Sequence, residues 1–169
     1  RLWMFETKQV RYENPELVEW DPPGREWCDK LLADGVDPAE VRKIARRPKD
    51  ERRVRLGDLT AEGIEDFEYI YDFGDDWVHR IVIERVEKVE VGRLPALIDG
   101  ACSGPPEDCG GLPGYEQIQD AYAGRPVDGW GRELAEWARS RMGPAWTPET
   151  FDAELIRDCL SRTWRGPRR

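Results

Sequence analysis

Phe67-Glu68-Tyr69-Ile70-Tyr71-Asp72-Phe73-Gly74-Asp75-Asp76-Trp77-Val78-His79-Arg80-Ile81-Val82-Ile83 is the stretch that decides the fold. From Phe67 to Phe73 the aromatic residues fall on every second position, the period of a half-buried strand. Trp77 to Val86 reads as a second strand, and Gly74-Asp75-Asp76 supplies turn chemistry between them. Side chains alternate faces along a strand, so a slip of one residue turns the whole pattern inside out. A three-residue loop, 74–76, puts Phe73 opposite Trp77, Tyr71 opposite His79, Tyr69 opposite Ile81 and Phe67 opposite Ile83. All eight then share one apolar, aromatic face, whereas an even loop would mix Asp72 and Glu68 into it. The expected hairpin therefore has an odd loop, with His79 on the packed face and Asp75 and Asp76 at the tip.

Working outward, Leu2-Trp3-Met4-Phe5 opens an edge strand and its loop. Asn14-Pro15 and Pro22-Pro23-Gly24 mark loop. Glu26 to Ala33 has helical spacing at Trp27, Leu31 and Leu32, and Gly35 can end it. Asp37-Pro38 is an N-cap followed by proline at the first helical position, opening a helix to about Arg47. Val54 to Leu59 reads as a short strand or a turn entering the hairpin. Val89, Val91, Leu94, Leu97 and Ile98 fit a further strand and turn. Gly100 to Gly114, with five Gly and three Pro, reads as a long ordered loop. Helices are expected over 115–123 and 130–142, and Thr147-Pro148 as the cap of a last one carrying Phe151, Leu155, Cys159 and Leu160. One domain over 1–164 and a basic tail, 165–169, complete the chain.

Composition narrows the class. The 169 residues are 36% charged and 39% hydrophobic, with eight Trp, which fits a folded polar domain rather than a disordered chain. No apolar run approaches a membrane span, and no secretory signal pattern is visible; the first residue is Arg1, not Met. A net charge of −9 opposes a general nucleic-acid coat. Between Arg42 and Arg55, however, eight basic residues face only Asp50 and Glu51. Arg42, Lys43, Arg46, Arg47, Arg52 and Arg53 form a candidate nucleic-acid patch; without interleaved aromatics they read first as a solvated face. Cys28 and Cys159 sit in apolar helical patterns, where a thiol acts as a small hydrophobe. Cys102 and Cys109 are near enough in sequence to pair or share a metal, but no C-x-x-C occurs. The balance points to a reducing, cytoplasmic setting.

Chemistry-bearing residues gather in two segments. The first is Tyr71-Asp72-Phe73-Gly74-Asp75-Asp76-Trp77-Val78-His79, with the chain's one histidine. The second is Pro105-Pro106-Glu107-Asp108-Cys109-Gly110-Gly111. Asp75, Asp76, His79, Glu107 and Asp108 have the donor chemistry of a divalent-metal site, and paired carboxylates with a His also suit acid–base work. Their spacing matches no calcium loop, H-E-x-x-H or zinc knuckle. The plainer reading makes Tyr71, Asp72, Phe73, Gly74, Trp77, Pro105, Pro106, Cys109, Gly110 and Gly111 structural, with aspartates accepting backbone hydrogen bonds in turns. Cys109 shows no local sign of activation as a nucleophile.

In these residues the chain resembles the plasmid pRiA4b ORF-3-like family, whose members share Y-D-F-G-D-x-W-x-H, then P-P-E-D-C-G-G-x-x-G-Y, then a helix opening F-D-x-x-x-I/L. Here these are Tyr71 to His79, Pro105 to Tyr115 and Phe151-Asp152-Ala153-Glu154-Leu155-Ile156, in that order, and the resemblance covers about residues 60 to 160. It implies an α+β domain of bacterial plasmid, mobile-element and chromosomal proteins, and no particular reaction. Arg1 to Phe5 looks like the end of a preceding strand–helix–strand half, which implies that this half is absent here. The family often has a Cys directly before the Pro pair; Cys102 stands further upstream, behind Ser103-Gly104.

The expected fold is thus α+β: an antiparallel sheet centred on the 67–73/77–86 hairpin with helices on one face. The leading functional expectation is a non-enzymatic interaction or scaffold module, its partner another protein or a second copy. A metal-dependent hydrolase or nuclease, with a divalent ion as cofactor, is the alternative, and a DNA-binding accessory protein ranks last.

Overall fold

The computed structural model describes residues 2–17, 20–88 and 95–163. It divides into two compact units, Arg1–Val86 and Glu87–Arg169. The fold is α+β. The first unit holds a five-stranded sheet in the order β3-β2-β1-β4-β5, from β1 (Trp3–Glu6), β2 (Arg11–Glu13), β3 (Lys49–Asp50), β4 (Asp66–Tyr71) and β5 (Trp77–Val82). All neighbours are antiparallel except β2 and β3. Helices α1 (Arg25–Ala33), α2 (Pro38–Ala45) and α3 (Leu56–Ala61) belong to the same unit. The second unit carries α4 (Gly111–Tyr122), α5 (Gly129–Met142) and α6 (Ala153–Thr163).

The hairpin has the expected face but not the expected register. Tyr71 pairs with Trp77, Tyr69 with His79 and Phe67 with Ile81, so the loop is 72–76, five residues rather than three. The odd parity holds, which keeps the aromatic residues together. The strand ends early because Asp72 takes φ +57°, a left-handed conformation incompatible with the ladder. Phe73 is consequently outside the strand and exposed. β5 likewise stops at Val82.

Trp3 and Phe5 of β1 and Tyr12 of β2 extend the aromatic face, because Trp3 pairs with Tyr71, and Phe5 with both Tyr69 and Tyr12. Leu59 of α3 packs there against Tyr12 and Phe67, making the core. Trp3 Nε1 donates to both Glu51 carboxylate oxygens, at 3.0 and 3.2 Å. The opposite face carries Glu6, Arg11, Glu13 and Ile70. There the buried Lys43 ammonium of α2 reaches Glu6 at 2.5 Å and Glu40 at 2.8 Å, and Arg11 Nη2 donates to the Ile44 carbonyl at 3.2 Å.

Four further expectations change. β1 lies between β2 and β4 instead of at an edge. Leu56–Ala61 is helical rather than a strand or turn; Asp58 Oδ2 accepts the Arg55 N–H and ties off its first turn. α4 begins at Gly111, inside the stretch read as loop. The cap of α6 is also displaced, with Asp152 Oδ1 accepting the Leu155 N–H, while Thr147 closes a separate turn with Thr150. The expected strand positions Val89, Val91 and Leu94, and the tail 165–169, lie outside the described residues. Among the described residues no helix is long and apolar enough to cross a membrane.

Candidate functional site

The first motif segment forms the β4–β5 turn. The Asp72 carbonyl accepts the N–H of Asp75 at 3.0 Å and of Asp76 at 2.6 Å, and its side-chain Oδ1 accepts the Gly74 N–H at 3.1 Å. Asp72 N–H donates to the Leu2 carbonyl at 2.9 Å, tying the turn to the sheet. Asp76 closes it at φ +53°. Aspartate tolerates this region better than most residues because its short polar side chain can bond locally. Asp75 is half-buried, and its Oδ2 is buried without a hydrogen-bond partner.

His79 lies on the aromatic face as expected, but at its exposed margin on the outer strand, opposite Tyr69 instead of Tyr71. Its ring is 5.5 Å from that of Tyr69, which in turn lies 4.9 Å from Phe5 and 6.3 Å from Tyr71. His79 Nδ1 is 3.2 Å from the carbonyl oxygens of both Tyr69 and Trp77, so an Nδ1–H can donate to either. On the other face of β5, Val78 and Val82 are each 53% exposed, and Arg80 pairs with Asp66 at 2.6 Å.

The second motif segment leads into α4. Pro106 and Cys109 are buried, while Glu107 and Asp108 face outward. Asp108 has φ +66°, Gly110 φ +86° and Gly111 φ +66°, three successive demands on the left-handed region around Cys109. Gly114 is required by proximity: a Cβ there would stand 1.8 Å from the Cys109 carbonyl oxygen. Cys109 Sγ lies 3.8 Å from the Gly111 carbonyl. The Tyr115 hydroxyl donates to the Ser103 carbonyl at 3.0 Å, and Ser103 Oγ to the Thr150 carbonyl at 2.5 Å. Burial, aided by Cys102 and Glu149, raises the Tyr115 pKa and keeps the phenol protonated as a donor.

The five candidate metal ligands are thus split, with Asp75, Asp76 and His79 in the first unit and Glu107 and Asp108 in the second. Among the described residues no group of three or more His, Cys, Asp or Glu side chains is arranged to hold a metal ion. None of the four cysteines is in a disulfide; Cys102 is exposed and Cys109 buried. Half of the candidate basic patch is paired. Lys43 is buried against Glu6 and Glu40, Arg52 reaches Asp50 and Glu16 at 3.0 and 2.6 Å, and Arg53 lies 3.5 Å from Asp50. Arg42, Arg46 and Arg47 are exposed. Sequence reasoning set Asp50 against the stretch but missed Glu6 of β1 and Glu16 of the 14–17 loop, which are distant in the chain.

An α+β domain with two motif segments built as backbone turns is the class these features define. Comparison with known proteins makes it specific: residues 1–155 match the family described as "Plasmid pRiA4b ORF-3-like protein", and the chain belongs to that family. The match starts at residue 1, so the expected absence of an N-terminal half is unsupported; β1 to α3 are part of the family domain. An uncharacterized protein, y4hQ, of Sinorhizobium fredii is 39% identical over 94 residues, covering 55% of this chain and 48% of that protein. The chain spans about half the length of that curated relative. A crystal structure of a protein of unknown function, MM3350 from Methanosarcina mazei Go1, shares the fold: TM-score 0.56 and 23% identity, over 90% of this chain and 70% of that one.

Proposed function

We propose that the chain is a non-enzymatic interaction module in which the two motif segments are rigid architecture and the outer strand β5 meets a protein partner. The observation that carries this reading is the direction of the motif hydrogen bonds. Asp72 serves the turn amides of Gly74, Asp75 and Asp76, and Gly110, Gly111 and Gly114 serve the α4 entry. Among the described residues β5 is the last strand of the sheet, and it presents Val78 and Val82 at that edge, the arrangement that accepts an added strand from another chain or a second copy.

Light scattering over a concentration series tests it. The expected outcome is a mass that rises with concentration in the native sequence and stays monomeric in Val78→Lys/Val82→Lys. A native mass that never changes, with no capture by a candidate partner, removes the β5 reading. The metal-dependent hydrolase reading draws on one observation, the unpartnered buried Asp75 Oδ2. Elemental analysis of protein purified without a metal-affinity step addresses it: near-stoichiometric Zn, Mn or Fe, lost in Asp76→Ala and His79→Ala, would replace the interaction reading.

A further inference from the structure

The first unit contains a cavity of about 480 Å³ on the sheet face opposite the aromatic core. That volume lies in the range of small-ligand sites. Met4 of β1 and Ile70 of β4 are ladder partners and form an apolar floor; Ile44 of α2 adds an apolar wall. Arg11 and Glu13 of β2 line one side, and Trp20 and Asp21 another. The hairpin turn contributes Phe73, which left the expected strand register, and Asp76, expected at the tip, to the lining of this cavity.

Its polar groups are unevenly satisfied. The Arg11 guanidinium is held by the Ile44 carbonyl at 3.2 Å and stands 3.8 Å from Glu13. Arg11 Nε and Trp20 Nε1, both buried, have no hydrogen-bond partner. A buried donor without a partner forfeits its hydration, so two on the walls of one cavity favour an occupant with acceptor atoms. The carboxylates of Glu13, Asp21 and Asp76 outnumber Arg11 and favour a positive group on the same occupant. The floor favours a short alkyl or aromatic frame.

We propose that this cavity binds an amino-acid-like group: an ammonium next to a carbonyl or carboxylate, on a small apolar frame. The acceptor end lies toward Arg11 and Trp20, the ammonium toward Asp21 and Asp76, and the side chain over Met4, Ile44 and Ile70. A free amino acid and the first residue of a peptide share this chemistry. The site is separate from the β5 edge and does not depend on the interaction reading.

Calorimetric titration of the full chain tests it with five probes: L-leucine, L-leucine amide, Leu-Gly-Gly, isopentylamine and isocaproate. The ammonium-bearing probes with an acceptor should bind roughly tenfold or more tighter than the lone amine or the lone acid, the effect of one charge-assisted hydrogen bond. Asp76→Asn, which suits the same left-handed backbone, should weaken leucine amide roughly tenfold and leave isocaproate unchanged. Arg11→Met should weaken leucine and isocaproate and spare isopentylamine. Leu-Gly-Gly binding without leucine binding assigns the site to chain N-termini, and the reverse assigns it to free amino acids; both uphold the proposal. No binding of any probe at millimolar concentration, or binding that neither variant alters, overturns it. Melting curves confirm that each variant is folded, and Asp76 is exposed, so its variant keeps the test intact if Arg11→Met unfolds.

Discussion

The two units solve their interiors by opposite means. The first buries charge and aromatic rings: Lys43 and Glu13 are 6% and 7% exposed beside Tyr12 and Phe67. The second buries small residues, Pro106, Cys109, Gly111, Gly114, Ala135 and Ala138, along with Ile118. In the first, side-chain pairing completes the fold and protonation affects stability. In the second, the backbone approaches too closely for side chains, and stability rests on having no Cβ. At Gly131 of α5 a Cβ would stand 2.3 Å from Gln117 Oε1 of α4 and 2.9 Å from Val127 Cβ, a limit set by side chains rather than by backbone.

The largest expected effect follows from that difference. Gly114→Ala would set a methyl 1.8 Å from a backbone oxygen that no rotamer can move. Opening the α4 entry should cost more than about 4 kcal/mol, the range reserved for severe core errors. Hydrogen exchange should show α4 unprotected; native protection with a normal melt would show that the entry relaxes freely and that the contrast between units is false.

The first unit should break through charge. Lys43→Met leaves Glu6 half-buried without its ammonium, at a cost of about 3 kcal/mol. Burial opposes the Lys43 charge, but the hydrogen bonds and charges of Glu40 and Glu6 win, and its pKa is raised. Its contribution is therefore complete below the ordinary lysine value, about 10.4, and is lost as pH rises through the folded value. Burial, with Glu62 and Glu51 respectively, also raises the Tyr12 and Tyr69 phenols, which adds to the alkaline loss. The native melting temperature should fall above about pH 10, and Lys43→Met should shrink that fall without abolishing it. An unchanged alkaline profile would remove the pair from the account.

How much was legible follows the same division. The hairpin face was readable because a period of two survives an error in loop length: any odd loop keeps Phe67, Tyr69 and Tyr71 with Trp77, His79 and Ile81. The loop length was not readable, because Asp72 can continue a strand or turn left-handed, and its bond to Leu2, just before β1, comes from outside the hairpin. β3, two residues parallel to β2, has no local pattern at all. In the second unit, Gly110-Gly111-Leu112-Pro113-Gly114 reads as loop from its breakers. The helix nevertheless starts there, since Pro113 falls in the first turn, where its missing N–H costs nothing. Of the candidate site, the two segments were legible as special; that their aspartates and glycines answer backbone demands, and that Phe73 and Asp76 line a cavity, depended on long-range packing.

The smallest effects separate side chain from backbone within the hairpin turn. Asp72→Ala removes the acceptor for the Gly74 N–H and places a Cβ without local bonding at φ +57°, for a loss of about 1–3 kcal/mol. Asp72→Asn keeps both properties and should lie within about 0.5 kcal/mol of native. Asp72→Gly keeps only the backbone freedom and should fall between them. That order in denaturant midpoints, Asn above Gly above Ala, says that the turn uses the aspartate for geometry. If Asn is as harmful as Ala, the negative charge itself is required at Asp72, and the first motif segment regains its claim as a site for a cation.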